Sequence, residues 1–300
     1  MIEDVRDKPS LSEADVLALN FIRRPARYVF RRHYRVGLRS HIMEVLRPED
    51  VAREREGVTV EGITWFPRAK PLRMLRIFRT RFGSLADAEA EVRRVKAIET
   101  YLVPDHLARS EEFLVDYVTG GQRETLLCGL QEFVEGEILE PWSALDRECL
   151  LALFRQMDCS KTDHSGEGAE EWLLKVRGRA GTFIGQIKKM IVETRHVPDL
   201  AGLGNLLVTP TGTIKLVDIN NVSPVRFRPE IELDDRGYPV CDKSIEALSL
   251  LEEKLLGAFD WREDSIYRSF LIPERMREVE VLVKEFRPSP LTAPSDHEPS

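Results

Sequence analysis

Pro198-Asp-Leu-Ala-Gly-Leu-Gly-Asn205 runs into Leu206-Leu-Val208, the turn Thr209-Pro-Thr-Gly-Thr213, then Ile214-Lys-Leu-Val217 and Asp218-Ile-Asn-Asn221. Two short apolar runs around a Pro/Gly/Thr turn predict an antiparallel hairpin. Such a hairpin returns its two ends to one place. Asn205 enters it and Asp218 leaves it, so both are expected at one mouth. An amide carbonyl and a carboxylate are hard oxygen donors suited to Mg²⁺, whose other positions are filled by waters and phosphates. Asp199, just upstream, is placed to accept a proton from a hydroxyl nucleophile or to orient one. The same residue types also cap strand ends and form turns, and that alternative stays open.

Upstream of this segment the pattern changes twice. Val58–Val60, Ile63–Phe66 and Leu72–Phe78 predict three strands. Ser84 precedes a run with helical spacing at Leu85, Ala88, Val92, Val95, Ile98 and Leu102, which predicts a helix. Residues 113–118 and 126–134 predict two more strands, so one helix is inserted between the third and fourth strands. Downstream, residues 142–157, 169–194, 243–259 and 273–286 predict helices. The chain from Arg287 onward is rich in Pro and Ser and is expected to be disordered.

Residues 12–46 are expected to be helical, opened by Ser12 and Asp15 as a capping box and broken or kinked at Pro25. No acidic residue falls between Asp15 and Glu44, and arginines there alternate with aromatics. A basic amphipathic helix over residues 20–40 would face an anionic membrane surface or an acidic partner, or pack its aromatic side and solvate its arginines.

The composition fits a globular protein: 42% hydrophobic residues across 300 positions. The net charge of −7 argues against broad nucleic-acid binding. Asp and Glu within the first seven residues and no apolar stretch lead us to expect no secretory signal. The four cysteines form no C-x-x-C pair, as expected of reduced thiols in the cytoplasm.

Asp199, Asn205 and Asp218, with the hairpin between the last two, resemble the catalytic-loop Asp, the metal-binding Asn and the metal-binding Asp of the protein-kinase-like superfamily. The strand and helix order before them is similar to that family's smaller lobe. The resemblance spans roughly residues 58–260. It implies an α+β, two-lobed kinase-like fold with a reduced helical C-lobe. The basic helical extension would occupy residues 1–49, the β-rich lobe 50–135, the helical lobe 136–286 and the tail 287–300. It implies ATP and Mg²⁺ as ligands, and a hydroxyl as phosphoryl acceptor. By the same resemblance Leu130–Gly136 is the hinge, with backbone groups of Glu132 and Val134 meeting adenine. Met74 and Arg76 share a strand face, Met74 covering adenine and Arg76 gripping phosphate. Glu91, or alternatively Glu89, would pair with Arg76.

The sequence departs from that family at stated points. The first expected strands carry no G-x-G-x-x-G, only Gly57 and Gly62. Arginine stands where the family has lysine, and its planar fork is not a point charge. The interval from Asp199 to Asn205 is one residue longer than usual, and the metal motif reads Asp-Ile-Asn. Gly202 and Gly204 are expected to supply backbone freedom. Two functions follow: transfer of a phosphoryl group from ATP, or a pseudokinase that binds nucleotide or partners without turnover. A peripheral membrane location through residues 20–40 is a further expectation.

Overall fold

The computed structural model describes residues 4–24, 27–34, 39–158 and 166–286. The expected tail, 287–300, and Cys159 lie outside them. The chain is α+β, and every strand pairing in its sheets is antiparallel. It divides into two compact units: residues up to Arg93 with Arg109–Phe133, and Arg94–Ala108 with Val134–Arg287. The three cysteines described, Cys128, Cys149 and Cys241, are free thiols.

In chain order the first unit holds α1 (Glu13–Leu17), β1 (Val29–Arg32), β2 (Ser40–Leu46), α2 (Pro48–Glu56), β3 (Val58–Val60), β4 (Ile63–Trp65) and β5 (Arg73–Phe78). Helix α3 (Leu85–Leu102) begins in this unit and ends in the second. Strands β6 (Ser110–Thr119) and β7 (Gln122–Glu132) complete the first unit. Its main sheet runs β1-β2-β5-β7-β6. The long β6–β7 hairpin closes at Gly120 and Gly121, with φ of 56° and 82°, a conformation glycine adopts at no steric cost.

The helix expected over residues 12–46 is not formed. Among the described residues of that span the one α-helix is α1, five residues long, and its Ser12–Asp15 capping box is present as expected. Val29–Arg32 and Ser40–Leu46 instead pair as β1 and β2, from Val29↔Leu46 to Arg32↔Met43. The physical reason is alternation. Phe30, Met43 and Val45 are buried in one apolar cluster with Leu75, Ile77, Leu126 and Cys128. Arg31 instead pairs across the strands with Glu44, its Nε donating at 2.8 Å. Val29–Arg32 and Ser40–Leu46 therefore belong to the sheet rather than to an extension ending at 49. The expected strands at 58–60 and 63–66 are real but stand apart, as a separate two-stranded hairpin of β3 and β4.

The second unit contains β8 (Glu137–Ile138), α4 (Arg147–Asp158), α5 (Gly166–Thr194), β9 (His196–Pro198), β10 (Leu206–Val208), β11 (Ile214–Leu216), β12 (Val222–Pro224), α6 (Val240–Leu256), α7 (Tyr267–Phe270) and α8 (Pro273–Glu285). Its core gathers Val95, Ile98 and Leu102 from the end of α3 with Phe183, Ile187 and Ile191 of α5 and Leu248 and Leu251 of α6. The α3 stripe is as expected at Ala88, Val95, Ile98 and Leu102, whereas Leu85 is exposed.

Val16 of α1 is fully buried in the first unit's apolar cluster with Val5, Leu11 and Leu19. Val16→Ala should therefore lower stability by about 2 kcal/mol in denaturant unfolding. A peripheral helix would leave the midpoint unchanged.

Candidate functional site

Two ladders build the site in the second unit. The β10–β11 hairpin pairs Leu206↔Leu216, and Val217 N donates to Asn205 O at 2.8 Å. Strand β9 pairs with β12, Val222↔Pro198, and Asp199 N donates to Asn221 O at 2.8 Å. The first ladder lies within the loop that the second closes. Asp199, Asn205, Asp218 and Asn221 are thereby gathered at the shared end of both.

The hairpin is held on its other sides too. Strand β8 pairs with β10, and residues 106–108 run along β11, where Ala108 N donates to Leu216 O at 2.9 Å. The far turn is tied to α5 by Trp172 Nε1, which donates to Thr209 O at 3.1 Å. A Cβ at Gly136 would meet Val208 O at 2.5 Å, so only glycine permits the chain to enter β8 this close to β10.

Asp199 Oδ1 accepts from the amides of Ala201 and Gly202, each at 3.0 Å, and its Oδ2 accepts from Asn221 Nδ2 at 3.1 Å. The turn-forming role left open by the sequence is thus present, and the carboxylate is fixed in direction by it. Asn205 is buried, and its Nδ2 donates to Asp199 O at 2.9 Å, which leaves Oδ1 as the group able to meet a cation. Gly202 has a role other than the one expected. Its φ is not positive; instead a Cβ there would stand 2.4 Å from Asn205 Nδ2. Gly204, with φ of 79°, does supply the left-handed turn.

Asp218 Oδ1 accepts from Asn220 N at 3.2 Å and Asn220 Nδ2 at 3.3 Å. Asn220 is 3% exposed, and its Oδ1 is buried without a hydrogen-bond partner. An orphaned amide oxygen beside a carboxylate is costly unless something electropositive sits there. Sequence reasoning assigned no role to Asn220, Asn221 or Tyr238. Tyr238 feels the charge of Asp199, and burial first, then that charge, pushes its hydroxyl up to about 12. Only the Asp-Ile-Asn-Asn run signalled the two asparagines; nothing local signals Tyr238.

Burial, and next the charge of Asp218, push the Asp199 carboxyl above the ordinary carboxylate range, against the lowering effect of its amide donors. A carboxylate close enough to raise the proton affinity of its neighbour forms with it an electrostatic well for a cation. Among the described residues no group of three or more His, Cys, Asp or Glu is arranged to hold a metal ion. The donor set here, two carboxylates and amide oxygens, suits an ion that keeps waters and phosphates as its other ligands.

The segment after the site is clamped. Arg275 on α8 is buried; its Nε donates to Asp242 Oδ1 at 2.5 Å, and its Nη1 donates to the carbonyls of Arg228 and Pro229. Ser244 Oγ on α6 accepts from Leu200 N at 3.2 Å, steadying the loop that carries Asp199.

The remaining sequence candidates lie elsewhere. Met74 and Arg76 are on β5, both buried, outside the cluster that takes Leu75 and Ile77, so they do share a face. Arg76 is buried rather than half-exposed, with its Nη2 3.5 Å from Ser40 Oγ and its guanidinium 6.0 Å from the Phe78 ring. Glu91 is half-buried on α3, whereas Glu89 is exposed and 3.5 Å from Arg93. Glu132 ends β7, and its amide already donates to Arg109 O at 2.8 Å, so that N–H is not available to adenine. Val134 is half-buried and opens the second unit. A cavity of 390 Å³ beside β1 is lined by Glu13, Arg31, Arg32, Glu54 and Arg55 among others, and by none of these candidates.

The chain matches no protein-family model and no curated protein sequence.

Asp199 also makes the site's charge measurable. A carboxyl whose folded pKa lies above its unfolded value of about 4 adds stability only while protonated, and that stability is lost as pH rises through the folded value. Asp218→Asn keeps the acceptor for Asn220 and removes the neighbouring charge. In chelator-treated protein the variant should melt roughly a few degrees higher than wild type near neutral pH, and the two should converge in acid. Equal melting at both pH values would contradict the coupling.

Proposed function

We propose that this chain is a divergent kinase-like protein whose second unit binds a divalent cation with the phosphates of ATP at Asp218 and Asn205. The observation that carries the reading is the convergence of Asp199, Asn205 and Asp218 at the joint end of two ladders. The buried, unpartnered Oδ1 of Asn220 beside Asp218 adds to it. The order of elements supports the fold reading in part: α3 follows the third strand of the five-stranded antiparallel sheet, though α2 and the β3–β4 hairpin precede that strand, and a mainly helical unit carrying the β10–β11 hairpin comes after.

In this reading the reaction is phosphoryl transfer from ATP to a hydroxyl. A bound Mg²⁺ would neutralise charge on the phosphate oxygens. Asp218 and Asn205 supply its protein oxygens. Asp199, fixed by two amides and Asn221, would direct its carboxylate at the acceptor hydroxyl and take up its proton as the acceptor oxygen bonds to the γ-phosphorus and the bond from that phosphorus to the β–γ bridging oxygen breaks, releasing ADP. Its raised proton affinity suits that task.

A second reading is favoured by one observation. Arg76, standing where the resembled family has lysine, is 3% exposed, and a buried planar guanidinium is not a point-charge substitute for an ammonium. A pseudokinase that binds nucleotide without transferring it fits that burial.

Thermal denaturation with MgATP tests the shared premise. We expect a magnesium-dependent rise in Tm that Asp218→Ala or Asn205→Ala abolishes. No rise in wild type would overturn both readings. Release of labelled phosphate from ATP then separates them: turnover lost by at least about 100-fold in Asp199→Asn supports the enzyme, and binding without turnover supports the pseudokinase.

A further inference from the structure

The β3–β4 hairpin is apolar where a hairpin in water is expected to be polar. Val58 pairs with Trp65 and Val60 with Ile63, so all four side chains share one face. They are 37%, 60%, 55% and 58% exposed respectively. Thr59 and Thr64 take the opposite face, with their Oγ1 atoms 3.0 Å apart. Phe66, 65% exposed, follows directly, and Gly57 leaves it room: a Cβ at Gly57 would stand 3.1 Å from its ring. Glu61 and Gly62, with φ of 51° and 80°, form a tight turn whose twist suits a hairpin. The hairpin is therefore well specified, yet its apolar face is left largely open to solvent.

The charge around it is as distinctive. Between Asn20 and Arg81 there are sixteen Lys or Arg and six Asp or Glu, in a chain whose net charge is −7. Arg53 and Arg55 precede the hairpin, and Arg68, Lys70 and Arg73 follow it; all five are exposed. Of the acidic residues nearby, Glu54 is neutralised by Arg31 at 2.7 Å, and Glu44 is buried against Arg31 and His33 with the exposed Arg68 3.6 Å away. Glu56 and Glu61 are the exposed acids at the hairpin itself.

We propose that the face of Val58, Val60, Ile63 and Trp65 enters the interfacial layer of an anionic lipid bilayer, with the flanking arginines and Lys70 on the phosphate headgroups. An indole favours the depth where apolar chains meet headgroups. A basic border adds attraction to anionic lipid that weakens with salt. Neither contribution anchors a protein firmly alone, and the two together give reversible binding. No helix among the described residues is long and apolar enough to cross a membrane, so this contact would be peripheral. The membrane contact expected of residues 20–40 as a helix is thereby reassigned to a different element.

Co-sedimentation of the full chain with phosphatidylcholine vesicles, with and without phosphatidylserine, tests this. Wild type should sediment with the phosphatidylserine vesicles only, and less so in high salt. Ile63→Ser with Trp65→Ser should reduce binding roughly tenfold or more while leaving Tm unchanged, because both side chains are exposed. Arg68→Glu with Lys70→Glu should reduce it at low salt. Wild type that ignores the anionic vesicles, or serine variants that bind as well as wild type, would overturn the proposal. So would a concentration-dependent dimer that the serine variants abolish in the absence of vesicle binding, which would assign the face to a second copy.

Discussion

Backbone hydrogen bonding between β9 and β12 is the constraint on which the candidate site depends. That ladder is three residue pairs long, yet it closes a loop that contains the entire β10–β11 hairpin. Residues 19 positions apart, Asp199 and Asp218, are thereby brought near enough for one charge to raise the proton affinity of the other. Neither ladder would be stable alone in water. Their stability comes from the apolar core beneath, where Val197, Leu206, Val208, Ile214, Leu216 and Val222 are all buried. Polar chemistry is carried at the rim of an apolar block, so the side chains that face each other are positioned by groups that cannot easily move.

The same arrangement explains how much the sequence disclosed. The inner hairpin was legible because Thr209-Pro-Thr-Gly-Thr213 is strong turn chemistry between two apolar runs. The outer ladder was not, since His196-Val-Pro198 and Val222-Ser-Pro224 are too short and proline-rich to announce a pairing across 24 residues. Asn220 and Asn221 were visible as residues but not as partners of Asp218 and Asp199. Tyr238 comes from a loop with no sequence relation to the site. The long helices of the second unit are readable to within a few residues, except that α4 starts at Arg147, later than expected, and the short α7 at Tyr267–Phe270 is not anticipated.

The larger misreading concerned residues 29–46. Arginines and aromatics at mixed spacing satisfy a helical template, and the decisive fact, that Arg31 meets Glu44 across a strand pair, is non-local. With β1 and β2 in the sheet, its first two strands are Val29–Arg32 and Ser40–Leu46 rather than 58–60 and 63–66. The glycines at 57 and 62 instead shape the separate apolar hairpin. Basic charge thus serves the first unit in two ways: internally by pairing with Glu44 and Glu54, and externally as the border of an exposed apolar face.

The central claim is that Asp218 and Asn205 jointly hold a divalent cation. Anomalous diffraction from crystals grown with Mn²⁺ and a non-hydrolysable ATP analogue addresses it most directly, because Mn²⁺ takes the oxygen ligands of Mg²⁺ and scatters distinctively. An anomalous peak is expected about 2.1 Å from the Asn205 Oδ1 and from an Asp218 carboxylate oxygen. A clear nucleotide and cation elsewhere on the chain, with Asn205 and Asp218 contacting neither, would contradict it.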